Sequence, residues 1–527
     1  MPRVAPGDRK RAKKPKTRTG CKTFRRVKCD EQKPSCLKCT STGRVCDGYN
    51  NELCIKLSSP ATFTRETTQT ISPIRSPSLE VPGDSRERRA LHFFCERTVR
   101  QLNPFRADDF WDLHILQATQ HEPSIRHAIV ALGSLHEKFE QSDGLILPQS
   151  DDFALQQYNL GITSLLEPFS RGGQQNMDVC LTASILFACF EPGFQTLQGR
   201  LGLAIAHIRS GARLLYEIEY NENQKKHNHK TLKCSSSPFV PMEILEDLFL
   251  RVYLQIVEMV GPITDLPIHK KTSLGRQGGT PPTAFSSLGE ARNCLIYNWH
   301  ERTTPREFKT GKTTEDLHRV VARQNESLAL YDQYNSAFQS FLATKGSVLN
   351  DSQRKGVRVL EIHHLAAYVA LNSKKTTLDV QTVWDQYVPI FDKIVTLAEE
   401  VTLLDSLDTA APVFSIDMGI VAPLYSVAHK CRDPIVRRRA IAVLKAAPRQ
   451  EGVWNSTLVA RVCERVVDLE EAGLGMVTSC ADVPDWARLS AVIPIFAAEG
   501  RKAVLTYSRG MSPNEFVRNT YEEEIVW

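Results

Sequence analysis

The 527-residue chain has no run of about 18 apolar residues, the length a spanning helix needs, so neither a transmembrane helix nor a membrane partner is expected. Its basic N-terminus lacks an apolar stretch, which argues against a secretory signal. Of 14 cysteines, five fall between Cys21 and Cys46, and the other nine are scattered without paired spacing. Those nine read as buried thiols in a reducing compartment, not as a disulfide framework. Also missing are a phosphate-cradling glycine loop, a His-Glu-x-x-His motif and a nucleophile elbow, so the protein is not expected to be an enzyme. Strand-like alternation is scarce, and residues 50–85 carry no sustained heptad.

What is present concentrates at one end. The stretch "CKTFRRVKCDEQKPSCLKCTSTGRVC" runs from Cys21 to Cys46, and its second half reads Cys36-x2-Cys39-x6-Cys46, with Cys29 a further six-residue gap before it. Thiolates at these spacings, punctuated by Lys, Pro and Gly, suit tetrahedral zinc ligation better than a buried core. Residues 1–46 hold 15 Lys and Arg against three acids, a net of +12. The whole chain is +6, so residues 47–527 carry −6 (6 minus 12). A basic head on an acidic body fits a nucleic-acid partner, double-stranded DNA.

These residues resemble the fungal zinc binuclear cluster, in which six cysteines hold two zinc ions with two bridging thiolates. The second half matches the family pattern, and Pro34 lies in the connecting loop. The first half departs from it: Phe24 stands where the family has cysteine, and four residues rather than six separate it from Cys29. The resemblance implies one zinc on Cys21, Cys36, Cys39 and Cys46. A second would use Cys21, Cys29 and Cys36, one ligand short, leaving either one zinc or a weakened pair. Structural zinc supplies about 10–16 kcal/mol of apparent folding energy in small modules, so the gap matters. Three explanations stay open: a mis-joined exon, a degenerate module, or completion by water or Cys54. The resemblance also places Arg25, Arg26 and Lys28 nearest the bases of a C/G-rich, CGG-like site. Arg18 and Lys22 would contact phosphate alongside the cluster.

The expected organisation is mainly α. It comprises a basic arm at 1–20 doubling as a nuclear localisation signal, a zinc module at 21–49, and a Ser/Thr/Pro-rich linker at 50–85. An all-helical regulatory body at 86–510 and a tail at 511–527 follow. In 122–140, Ile125, Ile129, Leu132, Leu135 and Phe139 recur at three- and four-residue steps. Further helices are expected near 197–218, 242–260, 286–299, 314–343, 354–372, 380–403, 415–430, 434–446, 454–472 and 484–508. "GLG" at 473–475 looks like a helix cap.

The body is also similar to the regulatory region of a subgroup of fungal zinc cluster regulators. "DDFWDLHILQATQHEPSIRHAIVALGSLHE" and "DMGIVAPLYSVAHKCRDPIVRRRAIAVL" are among the segments that carry this likeness. It implies a nuclear, DNA-binding regulator of RNA polymerase II transcription, with the transcription machinery or co-regulators as partners of the body. Monomeric binding and homodimerisation through the body both stay open. The alternative is a degenerate member that has lost direct DNA binding and regulates through protein partners. His114, His121, His127, His136, His363 and His364 read as ordinary core or surface histidines. Arg437, Arg438 and Arg439 read as a solvated face or as ion-pair members. The terminal "YEEEIVW" reads either as an acidic-hydrophobic activation tail or as a tail packed on the body.

Overall fold

The structure is a computed structural model that describes residues 37–42, 83–102, 105, 109–142, 152–195, 205–215, 231–260, 280–303, 314–373, 380–408, 411–496, 502–509 and 519–526. The chain divides into two compact units, Met1–Leu79 and Glu80–Trp527. In the first unit the described element is α1 (Leu37–Ser41).

The second unit is mainly α, as expected. It opens with α2 (Ser85–Phe93), which continues through a wider π-turn at Phe94–Thr98 into α3 (Val99–Leu102). Asp84 caps α2: its carboxylate accepts from the Arg86 and Glu87 amides at 2.7 and 2.8 Å, while Glu87 accepts from the Asp84 amide at 2.9 Å. This reciprocal box satisfies amides that a helix start leaves unpaired. Next come α4 (Ile115–His121) and α5 (Pro123–Gln141), the latter started by Pro123, whose missing N–H costs nothing at that position. The predicted apolar stripe of α5 is buried, from Ile125 to Phe139. It packs against α2, α6 (Asp152–Ser170) and α7 (Met177–Gln195). Gly133 permits the close approach of α2, because a Cβ there would stand 2.2 Å from the Ala90 carbonyl oxygen.

Between α6 and α7 the strand β1 (Gln175–Asn176) pairs in parallel with β2 (Leu232–Lys233). Residues 205–215 are helical. Then follow α8 (Met242–Val260), α9 (Leu288–Thr303), α10 (Thr314–Lys345), α11 (Asp351–Ser373) and α12 (Val388–Asp408). Strands β3 (Val413–Ser415), β4 (Arg449–Glu451) and β5 (Trp454–Asn455) form a small sheet around α13 (Val421–Lys430) and α14 (Pro434–Ala446). The last α-helix among the described residues is α15 (Ser456–Glu471), followed by Gly473 and Gly475 at φ +77° and +76°, so "GLG" ends it as expected. One continuous apolar core reaches from Ala90 to Val467.

The chain end departs from the helix expected at 484–508 and from an all-helical body. Strands β6 (Leu489–Phe496), β7 (Lys502–Arg509) and β8 (Thr520–Val526) make an antiparallel sheet in that order. The physical reason is local. Pro494 cannot donate within a helix, whereas it is tolerated on the edge strand β6. Ala503 and Leu505 are buried between half-buried neighbours and Tyr507 is buried two residues on, the two-residue period of a strand. Their face meets Val462 and Val466 of α15 in a second small core that includes Leu489 and Val492. The terminal acids belong to this sheet: Glu523 pairs with Arg465 at 2.6 Å and Glu524 with Lys502 at 2.8 Å. Of the two readings of the tail, the packed one matches the observed strand.

Candidate zinc and nucleic-acid site

Of the five predicted ligands, Cys39 lies among the described residues. Cys21, Cys29, Cys36 and Cys46 lie outside them, as do Cys54, Phe24, the predicted DNA contacts Arg18, Lys22, Arg25, Arg26 and Lys28, and the basic arm. Cys39 is fully buried, while Thr40, Ser41 and Thr42 after it are exposed. Both the amide and the hydroxyl of Thr42 donate to the Cys39 carbonyl at 3.2 Å, closing the turn. Residues three apart share a helix face. A helical turn starting at Leu37 is therefore compatible with the Cys36-x2-Cys39 spacing offering two sulfurs to one ion. The donor set fits zinc chemically, and zinc bound there would supply a rigid cross-link to a segment too short for its own core. Among the described residues no cluster of three or more His, Cys, Asp or Glu is arranged to hold a metal.

Five of the six singled-out histidines have other partners. His136 Nδ1 lies 2.8 Å from the Thr98 hydroxyl, with its ring stacked on Phe414. His127 Nδ1 meets the Gln157 side-chain oxygen at 2.6 Å, and His121 stacks on Phe239. His363 and His364 are neighbours in sequence, yet residues one apart on a helix point about 100° apart. His363 Nε2 reaches the Gly419 carbonyl at 2.7 Å, whereas His364 stacks on Tyr331 with centroids 3.8 Å apart.

The three consecutive arginines of α14 are ion-pair members. Arg437 is buried against Glu470, Arg438 pairs with Glu471, and Arg439 joins Asp392 and Glu399. Arg432 also meets Glu470, at 2.7 Å. Burial alone would push the Glu470 carboxyl up; Arg437 and Arg432 outweigh it and hold it at about 2. Glu470 further accepts from the Leu489 amide at 2.7 Å, so this charge cluster fastens the start of β6 to α15. A second cluster sets Asp417 between Arg251 at 3.2 Å and Arg292 at 2.5 Å. A third joins Arg449 and Lys355 to Asp405. Sequence reasoning did not find Glu470, Asp417 or Asp405. Their partners are 33 to 166 residues away, and no local pattern signals them.

A cavity of about 410 Å³ lies beside the starts of α9 and α11. Its lining offers hydroxyls, amides and the Lys345 ammonium, which donates to the Ser286 carbonyl at 2.7 Å. Among the described residues its lining presents no imidazole, thiol or carboxylate, the groups that acid-base chemistry uses.

A buried helical body knit by internal ion pairs, and a cysteine-bearing turn in a separate basic unit, have the layout of a regulator. Comparison with known proteins agrees at that coarse level: the chain is similar to fungal transcription regulators. It is 25% identical over 602 aligned residues, 94% of each chain, to the aspercryptin biosynthesis cluster-specific transcription regulator atnN of Emericella nidulans. It is 27% identical to the transcription regulator lscL of Purpureocillium lilacinum over 37% of this chain and 47% of that one. A 40-residue match at 60% identity, 7% of this chain and 8% of the other, links it to the transcriptional regulatory protein moc3 of Schizosaccharomyces pombe. No protein-family model matches the chain, and no solved structure matches it.

Proposed function

We propose that the chain is a nuclear, sequence-specific DNA-binding regulator of RNA polymerase II transcription of the fungal zinc cluster type. The observation that carries this reading is the Cys36-x2-Cys39-x6-Cys46 spacing, with Cys39 turned inward from a helical turn whose following residues are exposed. Similarity to a named transcription regulator along 94% of the chain supports it. Cys21, Cys36, Cys39 and Cys46 hold one zinc, and Cys29 contributes to a second, weaker site. Arg25, Arg26 and Lys28 read a C/G-rich, CGG-like sequence, arginine being suited to guanine O6 and N7. Arg18 and Lys22 contact phosphate, which positions without specifying. The helical body carries regulation, partner contacts and any homodimerisation.

Phe24, standing where the pattern has cysteine, favours a second reading in which direct DNA binding is lost and the body acts through protein partners. The two separate on one experiment with the full chain. Its binding to a CGG-containing duplex and to a scrambled duplex is measured across a salt series. The first reading expects at least tenfold preference for CGG, lost in an Arg25→Ala, Arg26→Ala double variant. It also expects Lys22→Ala to lower the salt slope by about 1. Equal affinity for both duplexes rejects it in favour of the second.

A further inference from the structure

Helices α9, α10 and α11 line a partly open cleft with about 30 Å³ of room for water-sized groups, and about 370 Å³ when the open space around it is counted. An interior space above about 10–15 Å³ admits a water-sized group. The walls are largely apolar, with Leu295, Leu330, Ala367 and Leu371 around the stacked rings of Tyr331 and His364. Tyr334 and His364 line the same cleft and are 2% and 7% exposed. The Tyr334 hydroxyl and His364 Nδ1 have no hydrogen-bond partner among the described residues. A buried polar atom left this way costs about 1–3 kcal/mol, and native interiors leave few of them.

The chemistry of the two atoms narrows what would pair them. Burial holds the His364 imidazole down at about 4, so at neutral pH the ring is uncharged, one nitrogen donating and the other accepting. A phenol hydroxyl both donates and accepts. Among the described residues no charged side chain lines the cleft, so an anionic ligand would find no counterion there. A hydroxyl group meets both requirements and fits the room of about 30 Å³, leaving an apolar remainder to lie against the largely apolar walls. We propose that this cleft binds a small, uncharged, mostly apolar molecule through one hydroxyl group held by Tyr334 and His364. The site belongs to the body alone, so it can stand or fall separately from the DNA-binding reading.

The test is titration of the full chain with phenol, benzyl alcohol and cyclohexanol, with benzoate as the anionic control, read by saturation-transfer NMR and thermal midpoint. At least one of the three alcohols binds, and its dissociation constant rises roughly two- to tenfold in Tyr334→Phe, the loss of one hydrogen bond. Ala367→Phe, which fills the cleft from its apolar wall, abolishes binding. Far-UV circular dichroism of both variants reports folding; if Ala367→Phe fails to fold, Tyr334→Phe decides alone. Absence of binding by all three alcohols, binding unchanged in Tyr334→Phe, or benzoate bound as tightly as phenol would overturn the proposal.

Discussion

Replacing Glu470 by Gln keeps the size of the side chain and removes its charge. In the native protein Glu470 is buried among Arg432, Arg437 and the Leu489 amide. Its carboxyl sits at about 2 against an ordinary 4.5, and at 1.36 kcal/mol per tenfold change in acidity this favours the ionised form by about 3 kcal/mol. The variant strands two buried guanidiniums, and removing one partner of a buried pair costs about 3–5 kcal/mol. That is a large share of a domain's net stability of about 5–15 kcal/mol. Because Glu470 also holds Leu489, the loss falls first on the sheet. Amide hydrogen exchange in β6 and β7 should accelerate by about 10²–10³-fold while α5 stays protected. Glu471→Gln is the control, since Arg438 is half-exposed and such a pair is worth about 0–1 kcal/mol. The reasoning is refuted if Glu470→Gln and Glu471→Gln exchange alike and both resemble the parent. The pH dependence has a definite sign. The depressed carboxyl contributes stability that is complete above about 4.5 and is lost as pH falls toward 2.

Two further substitutions follow from geometry. Gly133→Ala sets a methyl group against the Ala90 carbonyl, a backbone atom that cannot move aside cheaply, and should cost about 1–3 kcal/mol in urea unfolding. His136 is buried, and burial first and Arg97 second hold its imidazole at about 3, even though Glu140 lies 3.4 Å from Nε2. The unfolded chain therefore binds a proton that the folded one refuses, and stability should drop between pH 6.5 and about 3. The slope from this group approaches 1.4 kcal/mol per pH unit, and His136→Gln should remove that part of it in pH-dependent urea titrations.

Much of the body was legible because its helices carry one-sided patterns or explicit ends. Ile125 to Phe139 announced α5, and Gly473 and Gly475 the stop after α15. Helix α7 was not picked out, because Val179, Leu181, Ala183, Ile185, Leu186 and Phe187 are all buried and leave no single face to detect. At 484–508 the apolar content was read as helix although Pro494 and the β-branched Val492, Ile493 and Ile495 already favoured a strand. The ion-pair clusters were hidden for a different reason: Arg437 and Glu470 meet through the packing of α14 on α15, which no local spacing encodes. The cysteine module is the reverse case, since the proposed zinc chemistry rests on spacing, and Cys39 is the one proposed ligand among the described residues.

Metal removal tests the central claim most directly. The full-length chain is offered a CGG-containing duplex and a scrambled one before chelation, after it, and after zinc is returned. A selective complex that disappears with the zinc and comes back with it is the predicted result. Selectivity for CGG that persists unchanged in the metal-free protein would contradict the account.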